Sequence, residues 1–148
     1  MLTKEYLSRT LRKLLANPEK QLLEAQGLDA ILEMLYNLRS VEFPVVILEG
    51  RSNGTIQLVE GPLDTFTQSI WVMGQFARGE DEADVYDEMY ALGLQLLALL
   101  MKDAREGHTR ELEAWDWSHT SYMKRYGGQN TRGWEFVLTF KENFGLVK

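Results

Sequence analysis

Gly133-Trp134-Glu135-Phe136-Val137-Leu138-Thr139-Phe140 puts Trp134, Phe136, Leu138 and Phe140 on every second position. That is the period of a strand with one apolar face and one mixed face. A similar alternation, Phe66, Gln68, Ile70, Val72 and Phe76, precedes a long helical pattern. Two widely separated segments can therefore share one sheet, and neither carries catalytic chemistry.

Further strands are expected on either side of these. Phe43-Pro44-Val45-Val46-Ile47-Leu48-Glu49 is a β-rich run in which Pro44 is tolerated at the first residues of a strand. It breaks at residues 50–54, where Asn53-Gly54 is a hairpin turn signal. Residues 55–59 then return as a strand, and Gly61-Pro62 turns the chain into the strand of residues 65–76, an antiparallel meander. Residues 112–123 alternate Trp115, Trp117, His119, Ser121 and Met123 with Ala114, Asp116, Ser118, Thr120 and Tyr122, which reads as a strand with a half-buried aromatic face. Tyr126-Gly127-Gly128-Gln129-Asn130 reads as a connector, and the last strand covers residues 131–142.

Three helices complete the pattern. Thr3 is positioned to cap a helix over residues 4–16, ended by Asn17-Pro18, with Tyr6, Leu7, Leu11, Leu14 and Leu15 on its apolar side. A second helix is expected over residues 28–38 after Gly27. The third covers residues 81–106 and stops at Gly107, with Glu80, Asp81, Glu82 and Asp84 at its positive end and Lys102 and Arg105 near its exit. It carries two apolar rows: Val85, Met89, Leu92, Leu96 and Leu100, then Tyr86, Tyr90, Leu94, Leu97 and Met101. Burying a large apolar side chain is worth roughly 1.5–3 kcal/mol, so both rows call for cover. The sheet supplies one side; the N-terminal helices or another subunit supply the other.

The expected fold is one α+β domain over residues 1–148: an antiparallel or mixed sheet of about five strands, with the long helix and two N-terminal helices packed on one face. A hydrophobic content of 45% with 26% charged residues suits a globular chain of this length. The absence of cysteine removes disulfides, thiolate nucleophiles and thiolate metal sites. A net charge of −6 disfavours a general nucleic-acid binder, because phosphate affinity comes from clustered Lys and Arg, and Lys4, Arg9, Arg12 and Lys13 read as a solvated helix face. Residues 1–17 lack the apolar core and cleavage site of a signal peptide, and the run over residues 91–101, interrupted by Gln95, is shorter than the roughly 20 residues of a membrane span.

Candidate chemistry is sparse. His108 and His119 are the only imidazoles, and Ser118 and Ser121 lack the glycine-rich elbow of a serine nucleophile. Glu111, Glu113 and His119 share a strand face but Asp116 does not, so they read as exposed strand charge, not as a metal site. The acidic run over residues 80–84 lacks the spacing of a calcium loop. Residues 50–54 and Gly127-Gly128 lack the signatures of phosphate-binding loops, so no cofactor is expected. A cleft between sheet and long helix with convergent Glu, His and Tyr of perturbed acidity would instead mark an enzyme.

Four patterns, Phe43 to Glu49, Thr67-Gln68-Ser69-Ile70-Trp71-Val72-Met73, the acidic-to-apolar helix after it, and Gly133 to Phe140, make the chain resemble the small phage or prophage proteins that complete the tail or join it to the head. The resemblance implies a sheet flanked by helices, self-assembly into a homo-oligomeric ring, no catalysis, and other virion proteins as partners, in the cytoplasm during assembly and in the virion afterwards. It also implies subunit contacts from residues 51–55, 78–84 and 127–131, represented by Arg51, Asn53, Arg78, Glu80, Asp81, Gln129 and Asn130. A head-to-tail contact closes such a ring where its rotation permits. The competing expectation is a small bacterial protein-binding or adaptor domain that holds a partner on an aromatic face including Trp115 and Trp117.

Overall fold

A computed structural model describes residues 2–27, 30, 33, 42–49, 52–58, 63–106, 122–127 and 130–143. The elements in chain order are α1 (Leu2–Arg12), α2 (Pro18–Gln21), β1 (Leu22–Ala25), β2 (Val45–Glu49), β3 (Ser52–Gln57), β4 (Leu63–Gln75), α3 (Glu82–Glu106), β5 (Tyr122–Gly127) and β6 (Thr131–Asn143). The fold is α+β, built among the described residues on a mixed sheet of six strands in the order β1-β2-β4-β6-β5, with β3 also paired to β4. The only parallel pair among these is β1 with β2.

β4 and β6, the two alternating segments, form the spine. They pair antiparallel over their whole length, from Leu63 opposite Asn143 to Gln75 opposite Thr131. Gly133 is required inside this ladder, because a Cβ there would run into the carbonyl oxygen of Val72. The other edge of β4 is shared. β2 occupies it from Ile70 to Met73 and β3 from Leu63 to Thr67, both antiparallel to β4.

Several expectations are corrected here. Asn53-Gly54 does not turn the chain; both residues lie in β3, and β3 pairs with β4, not with β2. The irregularity that Gly54 permits appears as a register shift between Ser52 and Gly54, so the glycine serves a bulge. β1 was not expected at all, and it makes the sheet mixed. α1 starts at Leu2, so Thr3 lies within the helix and is not its cap. α1 also ends earlier than expected, at Arg12, and Pro18 opens α2 at a position where its missing N–H costs nothing. Tyr126 and Gly127 belong to β5 rather than to a connector. Most of the expected helix over residues 28–38, and the expected strand over residues 112–121, lie outside the described residues.

α1 and α3 cover the same sheet face. Leu7 and Leu11 of α1, Leu15 just after it, and Val85, Met89, Leu96 and Leu100 of α3 join Val46, Leu48, Phe66, Ile70, Val72, Phe136 and Leu138 in one core. α3 runs along β6: the Trp134 indole N–H donates to the Tyr86 carbonyl at 2.9 Å, and the Tyr90 ring meets Trp134 edge-on at 5.3 Å. Gly93 lets the helix close on the sheet, since a Cβ at that position would strike the Phe136 ring. The opposite sheet face also carries buried side chains, Val45, Ile47, Trp71 and Met73, so it is more apolar than the one-sided pattern suggested.

The expected burial of both α3 rows holds only in part. Tyr86 is buried and Tyr90 and Leu97 are half-buried, but Leu94 is 46% exposed.

Candidate interaction surfaces

The first surface is the corner where β4 ends, α3 begins and β6 begins. Gly79, with φ of +94°, turns the chain between Arg78 and Glu80. The Ala77 N–H donates to Glu80 Oε1 at 3.1 Å, and the Glu80 N–H donates back to the Ala77 carbonyl at 3.1 Å. Asp81 caps α3: its Oδ1 accepts from the Ala83 N–H at 3.0 Å. Glu82 and Asp84 in the first turn complement the positive end of the helix. Glu80 and Asp81 are thus held by intrachain bonds.

Asn130 belongs to the same corner. The Phe76 N–H donates to the Asn130 carbonyl at 2.7 Å. Arg132 ties the pieces together: its Nε donates to Glu82 Oε1 at 2.8 Å, and its guanidinium stacks on Phe76, 4.5 Å from the ring centre. A stacked, paired guanidinium is a rigid support. Of the candidate contact residues, Arg78, Glu80, Asp81 and Asn130 are therefore brought together, and all four are exposed.

Asn53 is elsewhere. It lies in β3, beside the stretch of β4 around Phe66, and β4 rises nine residues from Phe66 to Gln75, which is about 30 Å at roughly 3.3 Å per residue. Arg51 and Gln129 lie outside the described residues. Near the end of β3, Ile56 is 67% and Leu58 74% exposed. Both fall within the strand expected over residues 55–59, and their exposure has no signal in the sequence. They fall at i and i+2, so they share one side of the extended chain.

The second sheet face holds a pair of carboxylates that sequence reasoning missed. Glu49 ends β2, and Glu135 of β6 lies in register with Trp71 of β4. Burial pushes the Glu49 carboxyl above the usual carboxylate range, the nearby Glu135 charge adds to this, and the Trp71 indole beside it opposes both. The two acids are 86 positions apart, and only strand register brings them together. The backbone of Glu49 is held as well: Gln68 Nε2 donates to its carbonyl at 3.0 Å, where the β2 ladder stops.

Among the described residues no cluster of three or more His, Asp or Glu side chains could hold a metal ion. His108, His119, Ser118, Ser121, Glu111, Glu113, Asp116, Trp115 and Trp117 lie outside the described residues. No described helix is long and apolar enough to cross a membrane. No family model and no curated protein matches this chain.

Proposed function

We propose that this chain is a non-enzymatic structural subunit of phage or prophage origin that assembles into a ring with copies of itself, as in tail completion or head-tail joining. The observation that supports it is the spacing of its exposed surfaces. The acidic corner at Arg78, Glu80, Asp81 and Asn130 stands about 30 Å along β4 from the β3 region, where Ile56 and Leu58 are exposed. A head-to-tail contact needs two different patches on one subunit, whereas a small-molecule site needs one concave cluster. Large uncovered apolar side chains beside polar backbone suit contact with another protein.

Light scattering across a range of concentrations, followed by electron microscopy, tests the proposal. The expected result is a closed ring of defined mass that Ile56→Asp with Leu58→Asp abolishes while the monomer stays folded. A monomer at every concentration, with no ring in the images, contradicts it. A folded monomer that binds a cellular protein through these two residues favours the adaptor reading instead.

A further inference from the structure

α3 is 25 residues long, about 37 Å at 1.5 Å per residue, and one side of it faces solvent from Asp87 to Lys102. Asp87, Ala91, Leu94, Gln95, Ala98 and Lys102 are all exposed. At 100° per residue they fall within one stripe, opposite Val85, Met89, Leu96 and Leu100, which are buried in the core.

The stripe has internal symmetry. Ala91 lies three residues before Leu94 and Ala98 three after Gln95; Asp87 lies seven before Leu94 and Lys102 seven after Gln95. Negative charge at one end, where exposed Glu88 adjoins Asp87, is thus mirrored by positive charge at the other, about a centre between Leu94 and Gln95. Such a stripe complements a copy of itself running the opposite way. A parallel copy would set acid against acid and Lys102 against Lys102.

We infer that the outer stripe of α3 is an isologous contact, in which α3 of a second copy of this chain packs antiparallel about a twofold axis between Leu94 and Gln95. Each Ala91 then faces Ala98 of the second copy, each Lys102 meets Asp87 and Glu88 of the second copy, and the two Leu94 side chains meet beside the axis. The small side chains let the helices approach closely, and covering Leu94 removes a large apolar side chain that the fold leaves bare on this helix. With one such side chain per copy, the contact is weak and concentration-dependent rather than obligate. It goes beyond the ring reading, because a twofold contact joins subunits in pairs and a head-to-tail contact joins them in series.

Cysteine cross-linking reads the geometry directly, since the chain has no cysteine of its own. Leu94→Cys is expected to give a disulfide-linked dimer under mild oxidation, as is the double variant Ala91→Cys with Ala98→Cys. Ala91→Cys alone is expected to stay monomeric on a reducing-agent-free gel. Its two copies sit seven residues, about 10 Å, apart along the axis, beyond the reach of a disulfide. Lys102→Glu is expected to weaken the pairing roughly tenfold in sedimentation equilibrium, by reversing a charge at both symmetric ends. No cross-link through Leu94→Cys, or one through Ala91→Cys alone as strong as through the double variant, overturns the inference. If rings form under the electron microscope while Leu94→Cys stays uncross-linked, the α3 contact falls and the ring reading stands. If the Leu94→Cys dimer forms without any ring, the contact stands and the ring reading falls.

Discussion

β4 has two unlike sides. Toward β6 it pairs from end to end without a shift, and α3 closes over that ladder through Trp134, Phe136 and Gly93. Toward β2 and β3 it meets two short ladders, with a register shift inside the second and a Gln68 side chain bonding the backbone where the first stops. The difference shows where stability is concentrated and where the molecule keeps surface for other work. The β6 ladder and the short β2 ladder both carry buried apolar residues, whereas the β3 stretch of the interrupted side ends in exposed Ile56 and Leu58.

Truncation gives the largest expected contrast. Phe136→Ala removes a ring that is 4% exposed and packed against α3, and is expected to cost about 3–5 kcal/mol in denaturant unfolding. Ile56→Ser on the interrupted side is expected to change stability by less than about 0.5 kcal/mol. Equal losses at the two positions would erase the distinction. Gly93→Ala comes next. Its new methyl must displace the Phe136 ring, and the strain outweighs the gain in helix propensity, for an expected net loss of about 1–3 kcal/mol. A stabilised variant would mean that α3 does not lie tightly on β6.

The smallest effect concerns Glu49. Its carboxyl is held above the usual range when folded, so the folded chain retains a proton that the unfolded chain has already lost. Stability from this group is present in full below the unfolded value and is lost as pH rises through the folded one. Because Glu49 is half-exposed, the slope is expected to be shallow. Unfolding of Glu49→Gln, followed between about pH 4 and pH 7, is expected to lack this component. An unchanged slope would place the proton elsewhere.

The two sides of β4 also differed in legibility. β4, β6 and α3 could be read from the chain because each is long enough for its period to repeat several times, and α3 carries its cap and its charges in sequence. β1 could not: Leu22-Leu23-Glu24-Ala25 is too short to show a period, and it is a strand because β2 lies beside it. Asn53-Gly54 has the composition of a turn, but pairing with β4 overrode that local preference and used the glycine in a bulge. The candidate site residues divide in the same way. The corner at Arg78, Glu80 and Asp81 was visible as a break before a helix, while its junction with Asn130, the meeting of Glu49 with Glu135 and the exposure of Leu94 depend on how distant elements pack.

Amide hydrogen exchange of the monomer, at a concentration below that at which copies associate, tests most directly whether the continuous side of β4 holds the fold by itself. The expected result is that the amides of Ile70, Val72, Phe136 and Leu138 exchange only through global unfolding, while those of Thr55 and Ile56 in β3 exchange earlier by local opening. Protection in β3 equal to that of the β4–β6 ladder, or ladder amides that exchange by local opening, would contradict it.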